Sequence, residues 1–174
     1  MNAHVFETER LLLRPLTVED AEAAFVWLSD PEVNRFMPYA LYTEVEAARA
    51  WLATLDELVD NYVFGIVRKA DHLLIGTVSV RLGAIEPGAW SLGYNLRRDC
   101  WQQGYATEAA RGILDFAYRI LGARDFTAEH AIANPVSGSV LRRCGFVYVR
   151  DITYAKRDGS EVFPAKFYKL HLED

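Results

Sequence analysis

The sequence lacks the residues that hold many small or metal-dependent proteins together. Cys100 and Cys144 are its only cysteines, and neither a Cys-x-x-Cys spacing nor a nearby group of histidines accompanies them. A disulfide framework or a structural zinc site is therefore not expected, and both thiols are predicted to be reduced. The net charge of −5 argues against nucleic acid as a partner, because such binding depends on Lys and Arg neutralising phosphates. A neutral or cationic substrate fits this charge better.

Long apolar runs and linker segments are missing as well. No window approaches the roughly 18 apolar residues that span a bilayer, and the N-terminus has no basic start followed by an apolar segment. We therefore expect a cytoplasmic protein that does not bind membranes. No stretch rich in Pro, Gly or Ser divides the 174 residues, of which 51% are hydrophobic, so one domain over residues 1–174 is expected.

The hydrophobic periodicity predicts helices that alternate with strands. It indicates strands over 11–16, 62–68, 73–82, 89–96, 125–132, 146–154 and 162–172, and helices after capping boxes at 17–20 and 43–46, over 105–121 and from 135 to about 145. The strands from 62 to 96 are expected to form an antiparallel meander. In the helix after 43–46, Ala47, Ala50 and Trp51 are expected to face inward. The pattern is typical of a mixed α/β domain with a mostly antiparallel, partly parallel sheet of about six or seven strands and about four helices.

The segment WQQGYATEAA, residues 101–110, begins the most regular of these helices with Gly104 and without an acidic cap. A helix start exposes backbone N–H groups and the positive end of the helix dipole, so a bare entry after a strand and a short loop suits an anion such as phosphate. Neither G-x-x-x-x-G-K-S/T nor G-x-G-x-x-G is present, which argues against nucleoside triphosphates and dinucleotides.

These residues carry a resemblance to a known family. WQQGYATEA resembles the pyrophosphate-binding segment of the GNAT superfamily of acetyl-CoA-dependent acyltransferases, in the W-G-K/R-G-Y-A-T-E-A form of its RimJ/RimL branch. TERLLLRPLTVEDAE near the N-terminus, LGY at 92–94, and NPVS leading to CGF at 144–146 are similar to that branch in the same order. Gln102 and Gln103 depart from it, because the branch usually has glycine and then Lys or Arg at these positions.

The resemblance implies an N-acetyltransferase that moves an acetyl group from acetyl-CoA, without a metal, to a primary amine by direct attack. The acceptor would be a small-molecule or peptide amine, and the protein a monomer or a homodimer. The implied cofactor contacts, including a strand edge that can pair with the pantetheine arm, are Asn95, Leu96, Gln102, Gln103, Gly104, Tyr105, Ala106 and Asn134. A noncatalytic acyl-CoA-binding or sensor domain on the same fold is the alternative.

Glu129 is the candidate general base. It precedes Asn134 by five residues, the offset at which relatives of the superfamily carry a glutamate implicated as base. Strand alternation places Glu129 and His130 on opposite faces, so only one of them can face the site, and His130 is expected to be a packed strand residue. The branch often has a second candidate base, a glutamate, at the position of Ser91, and this chain lacks it. The base is therefore Glu129 or a water relay, and the alternative for Glu129 is a solvated residue on a half-exposed strand.

Ser137 is the candidate acid. It lies at the third position of the helix after Asn134, where the resemblance implies that its hydroxyl reaches the cofactor sulfur; hydrogen bonding at the helix start is the alternative. Leu141 stands where many members carry a tyrosine acid, which gives Ser137 more weight. Cys144 is disfavoured as a nucleophile because a helix C-terminus raises a thiol pKa, and Glu108 is assigned a structural role in the first helical turn.

The acceptor pocket is the least defined part of the sequence. Residues 34–39, NRFMPY, and Trp90 are candidates for lining it, because aromatic rings suit a cationic amine. Packing in the core is the alternative for these aromatic residues.

Overall fold

The fold is built on an eight-stranded sheet in the order β1-β2-β3-β4-β5-β6-β8-β7, in a computed structural model that describes residues 3–173. The strands are β1 (Phe6–Glu7), β2 (Leu11–Pro15), β3 (Asn61–Arg68), β4 (Leu73–Leu82), β5 (Trp90–Leu96), β6 (Asp125–Ala131), β7 (Val147–Ala155) and β8 (Val162–His171). Neighbouring strands are antiparallel except β5 and β6, which are parallel. The predicted meander of β3, β4 and β5 is confirmed.

Five α-helices lie within residues 3–173. They are α1 (Ala21–Leu28), α2 (Pro31–Asn34), α3 (Val45–Ala53), α4 (Tyr105–Leu121) and α5 (Pro135–Arg143). The mixed, mostly antiparallel architecture is confirmed, whereas the predicted counts of strands and helices were too low. The additional elements are β1, with two residues, and α2, with four, which are too short to produce a periodic pattern. None of the described helices has the length and apolar character needed to cross a bilayer.

Helix α4 packs on one face of the sheet and has the bounds that its periodicity predicts. Ala109, Ile113 and Ala117 are fully buried along one side of it, in the main core. Gly122 ends the helix with a left-handed φ of 68°, the conformation for which glycine is favoured at this position.

Helices α1 and α3 contact each other beside a second core, which includes residues of β3 and β4. The predicted inward face of α3 is confirmed for Trp51, which packs against the second core, and wrong for Ala47 and Ala50. The helix follows Glu44, its N-cap, and buries Ala48 and Leu52, while Ala47 and Ala50 are exposed. Packing against α1 sets this face, and the local periodicity alone does not resolve a shift of one residue.

The two parallel strands separate soon after they meet. They pair at Trp90 with Phe126 and at Ser91 with Thr127. Beyond these pairs, β5 continues along β4 and β6 continues along β8. A gap therefore opens between residues 92–96 of β5 and 128–131 of β6, and we call it the wedge. Strand edges that face such a gap leave backbone N–H and C=O groups for a ligand to pair with.

Candidate functional site

The loop between β5 and α4 presents a row of unengaged amides. Within residues 3–173, no hydrogen bond uses the N–H group of any residue from 102 to 107. Gln102 and Gly104 are left-handed, with φ of 60° and 81°, and Gln103 between them is not. Successive N–H groups in such alternating conformations form a concave anion site, and here they continue into the N-terminus of α4. The loop can therefore hold an anion through its backbone.

Arg10, which the sequence reasoning did not single out, braces this loop. Its guanidinium donates to the Gln103 carbonyl at 2.8 Å and to the Glu108 carboxylate at 2.7 Å, and its own N–H also donates to Glu108 at 2.7 Å. A Cβ at Gly104 would lie 3.2 Å from the guanidinium. A cation thus lies beside the loop although Gln103 replaces the Lys or Arg of the branch.

Glu108 joins the start of α4 to the β1–β2 turn, in agreement with the structural role assigned to it. Besides Arg10 it accepts from the Thr8 hydroxyl at 2.6 Å. Burial alone raises the pKa of Glu108, but the hydrogen bonds from Thr8 and Arg10 outweigh it and lower that pKa. The carboxylate is therefore ionised and committed to these contacts.

Asn95 does not face the wedge, contrary to the prediction. Arg97, two residues later, donates its N–H to a β4 carbonyl at 2.8 Å. Successive residues of a strand direct their backbone groups to opposite edges, so the Asn95 backbone also faces β4. Its side chain accepts from Thr77 at 2.6 Å and donates to Tyr39 at 2.8 Å. Asn95 therefore positions β5 and the 34–39 segment.

Leu96 and Tyr94 direct their backbone groups to the wedge by the same alternation. The Leu96 carbonyl accepts from the indole N–H of Trp101 at 3.0 Å. The Leu96 N–H and both backbone groups of Tyr94 remain directed at the wedge. The strand edge that faces the wedge therefore consists of the backbone groups of Tyr94 and Leu96.

Glu129 lies half-buried on the face of the sheet that carries Asn95. It is paired in register with Phe167 and has no hydrogen-bonding or ionic partner within residues 3–173. Burial raises the pKa of Glu129. Burial, and to a smaller extent the charge of Glu129, also raises the pKa of the neighbouring Tyr154 to about 12. An unpartnered carboxyl with a raised pKa is suited to accept a proton.

His130 faces the other way and is packed, as predicted. Its ring nitrogens lie 2.7 Å from the Ala131 carbonyl and 3.2 Å from the Tyr168 hydroxyl, and the side chain is buried. The ring lies against α5, where a Cβ at Gly138 would be only 2.6 Å from Nε2. Of the two adjacent residues, Glu129 is the one with an open environment.

Helix α5 begins beside the wedge, on the His130 face of the sheet. Asn134 is its N-cap and Pro135 its first residue, as predicted, but the Asn134 side chain makes no capping hydrogen bond. Ser137 Oγ lies 2.8 Å from Tyr94 Oη, a contact between β5 and α5 that spans the wedge. Tyr94 was noted in the sequence only as part of the LGY motif, which gives no indication of this contact.

The candidates for lining the acceptor pocket, residues 34–39 and Trp90, lie in different parts of the structure. Within 34–39, Tyr39 meets Asn95 and the Phe36 carbonyl accepts from Tyr154 at 2.7 Å, so the segment adjoins the Glu129 face. Trp90 is instead in the main core with its ring centroid 5.9 Å from that of Tyr62, because alternation along β5 turns it toward α4.

Two other kinds of chemistry find no support in the part of the chain that is described. Among those residues, no three or more His, Cys, Asp and Glu side chains come together in an arrangement that could hold a metal ion. Burial raises the pKa of Cys144 to about 11 although Arg111 acts in the opposite direction, which leaves it a thiol at neutral pH and a poor nucleophile.

Comparison with known proteins agrees with this arrangement. The profile of the acetyltransferase (GNAT) domain matches residues 10–147. The chain belongs to the GNAT family. The uncharacterized N-acetyltransferase p20 of Bacillus licheniformis is 31% identical over 142 residues, which cover 80% of each chain. This GNAT protein is accordingly an N-acetyltransferase, whereas the narrower RimJ/RimL assignment stays a prediction.

Solved structures show the same fold at lower identity. A GNAT acetyltransferase from Bacillus anthracis matches with a TM-score of 0.85 and 21% identity, over 97% of this chain and 98% of that one. The Microcin C7 self immunity acetyltransferase MccE, solved with acetyl-CoA and AMP, matches with a TM-score of 0.79 and 16% identity, over 95% and 94%.

Proposed function

We propose that this N-acetyltransferase takes its acetyl group from acetyl-CoA and transfers it directly to a primary amine of a small molecule or a protein N-terminus. The observation that carries the proposal is the wedge, which has the loop of unengaged amides at one end and Glu129 and Ser137 on opposite faces. We further propose that residues 1–174 form a single domain. The cytoplasmic location and the monomeric or homodimeric state remain predictions.

The residues present fit the parts of acetyl-CoA. The amides of 102–107, which include Gln102, Gln103, Gly104, Tyr105 and Ala106, would hold the diphosphate, with the Arg10 guanidinium beside them. The edge of β5 at Tyr94 and Leu96 would pair with the amides of the pantetheine arm. The Asn134 side chain, which makes no capping hydrogen bond, would bind the arm from the start of α5.

Acetyl-CoA supplies the activated thioester, and the chain supplies proton transfer and charge stabilisation. The amine enters from the Glu129 face, and Glu129 accepts the proton that nitrogen loses as it attacks the carbonyl carbon. A backbone N–H at the β5 edge stabilises the developing oxyanion, an interaction worth about 3 kcal/mol when preorganised. Ser137 donates a proton to sulfur as the carbon–sulfur bond breaks and regains one from water.

The competing function is noncatalytic acyl-CoA binding, which the comparisons do not support. We expect purified protein to release free coenzyme A thiol from acetyl-CoA in the presence of at least one member of an amine panel. Tight coenzyme A binding without thiol release from any amine would favour a sensor. Absence of a thermal shift would overturn the cofactor assignment, because a ligand at 100 times its Kd adds about 2.7 kcal/mol of stability.

A further inference from the structure

Tyr94 is half-buried and places its hydroxyl against the candidate acid. Its Oη lies 2.8 Å from Ser137 Oγ and 3.2 Å from the Ser137 carbonyl oxygen. Within residues 3–173, the Ser137 hydroxyl has no other hydrogen-bonding partner. The pair joins β5 to the first turn of α5, the two elements between which the pantetheine arm would lie.

The direction of this hydrogen bond decides what Ser137 can do. A phenol and a serine hydroxyl have one hydrogen each. If Ser137 donates to Tyr94, its hydrogen is consumed within the protein. If Tyr94 donates to Ser137 Oγ, the serine hydrogen is free for a third group. Tyr94 Oη lies closer to Ser137 Oγ, at 2.8 Å, than to the Ser137 carbonyl oxygen, at 3.2 Å, and the shorter distance favours Oγ as the main acceptor of the phenol hydrogen.

Tyr94 is poorly suited to give up its proton altogether. Burial is the main cause that raises the pKa of Tyr94, the neighbouring Cys144 side chain acts in the same direction, and only the hydrogen bond with Ser137 opposes them. The phenol therefore remains a neutral donor throughout the working pH range, and a role in orientation suits it better than a role as the acid itself.

We propose that Tyr94 is a positioning residue for acetyl transfer. Its hydroxyl donates to Ser137 Oγ and thereby turns the single hydroxyl hydrogen of Ser137 toward the thioester sulfur. This inference rests on the proposed function. When the carbon–sulfur bond breaks, its electron pair passes to sulfur, and sulfur takes the Ser137 proton. Water returns a proton to Ser137, and the proton that Glu129 took from the amine passes to water, so the protons balance.

Affinity measurements test this orientation without turnover. A hydrogen bond from Ser137 should favour coenzyme A over desulfo-coenzyme A by about fivefold, the usual worth of one net hydrogen bond. By calorimetry, Tyr94→Phe and Ser137→Ala should both abolish this preference. Tyr168→Phe is the matched control, because it removes a buried phenol hydroxyl that meets His130 at 3.2 Å. That variant should keep the preference.

A double-mutant cycle on turnover gives the second readout. Tyr94→Phe should lower kcat about tenfold with little change in KM. In a protein that already carries Ser137→Ala, the same substitution should lower kcat by less than about twofold, because the effects of coupled residues are not additive. An unchanged preference for coenzyme A in folded Tyr94→Phe, or full additivity in the cycle, would overturn the role of Tyr94. If the wild type binds neither ligand, the proposed function itself fails, which is a different result.

Discussion

Replacing Gln102 by glycine should stabilise the protein, although it removes a side chain. Gln102 is exposed, its side chain makes no hydrogen bond within the described residues, and its φ is 60°. A left-handed conformation costs an L-residue about 1–2 kcal/mol, which glycine does not incur. Glycine also makes the unfolded chain more flexible, which offsets about 0.4–1 kcal/mol of that gain. The net expectation is a stabilisation of about 1 kcal/mol.

Urea unfolding measures this change, with the midpoint rising and the slope m unchanged. For a chain of this length the melting temperature should rise by about 2–4 °C. Gln103→Gly is the matched control, since Gln103 is not left-handed and its side chain donates to the Asp99 carbonyl at 3.1 Å. That variant should be destabilised. If both variants lose stability alike, the loop does not have the conformation described here, and the anion site built on it is wrong.

Three other changes test separate parts of the account. Glu129→Gln should depress the rate at neutral pH and less at high pH, where the amine is already neutral, and a rate ratio that is flat with pH would exclude the base role. Because burial raises the pKa of Glu129, its ionised form disfavours folding above that pKa, so Glu129→Gln should not lose stability at pH 7. Gly104→Glu should abolish coenzyme A binding in calorimetry, whereas Gly159→Glu, at φ 74° in a distant turn, should cost similar stability and keep the affinity. Gly138→Ala should lower the free energy of unfolding by about 1–3 kcal/mol, since its Cβ would meet the buried His130 ring, and an unchanged urea midpoint would contradict that packing.

Long periodic elements were predictable because the signal lies in the residues themselves. Helix α4 has the predicted bounds of 105 and 121, with Gly122 as its stop, and β4 spans the predicted 73–82. The inward face of α3 was predicted wrongly in part, and the choice between pocket and core was left open for Trp90. Both depend on which element packs against the segment, and one sequence window does not contain that information.

The candidate site was predictable only in part for the same reason. The uncapped start at Gly104 and the offset between Glu129 and Asn134 are local features, and both were read from the sequence. The wedge arises from the register of β5 and β6, which separate after two residue pairs. Tyr94 meets Ser137 across 43 positions of the chain, and no local pattern marks such a contact.

A crystal structure with acetyl-CoA tests the central claim most directly. We expect the diphosphate within hydrogen-bonding distance of the amides of residues 102–107, the pantetheine arm in the wedge between β5 and β6, and the thioester between Glu129 and Ser137. A diphosphate bound elsewhere on the protein, with those amides still unengaged, would contradict the account.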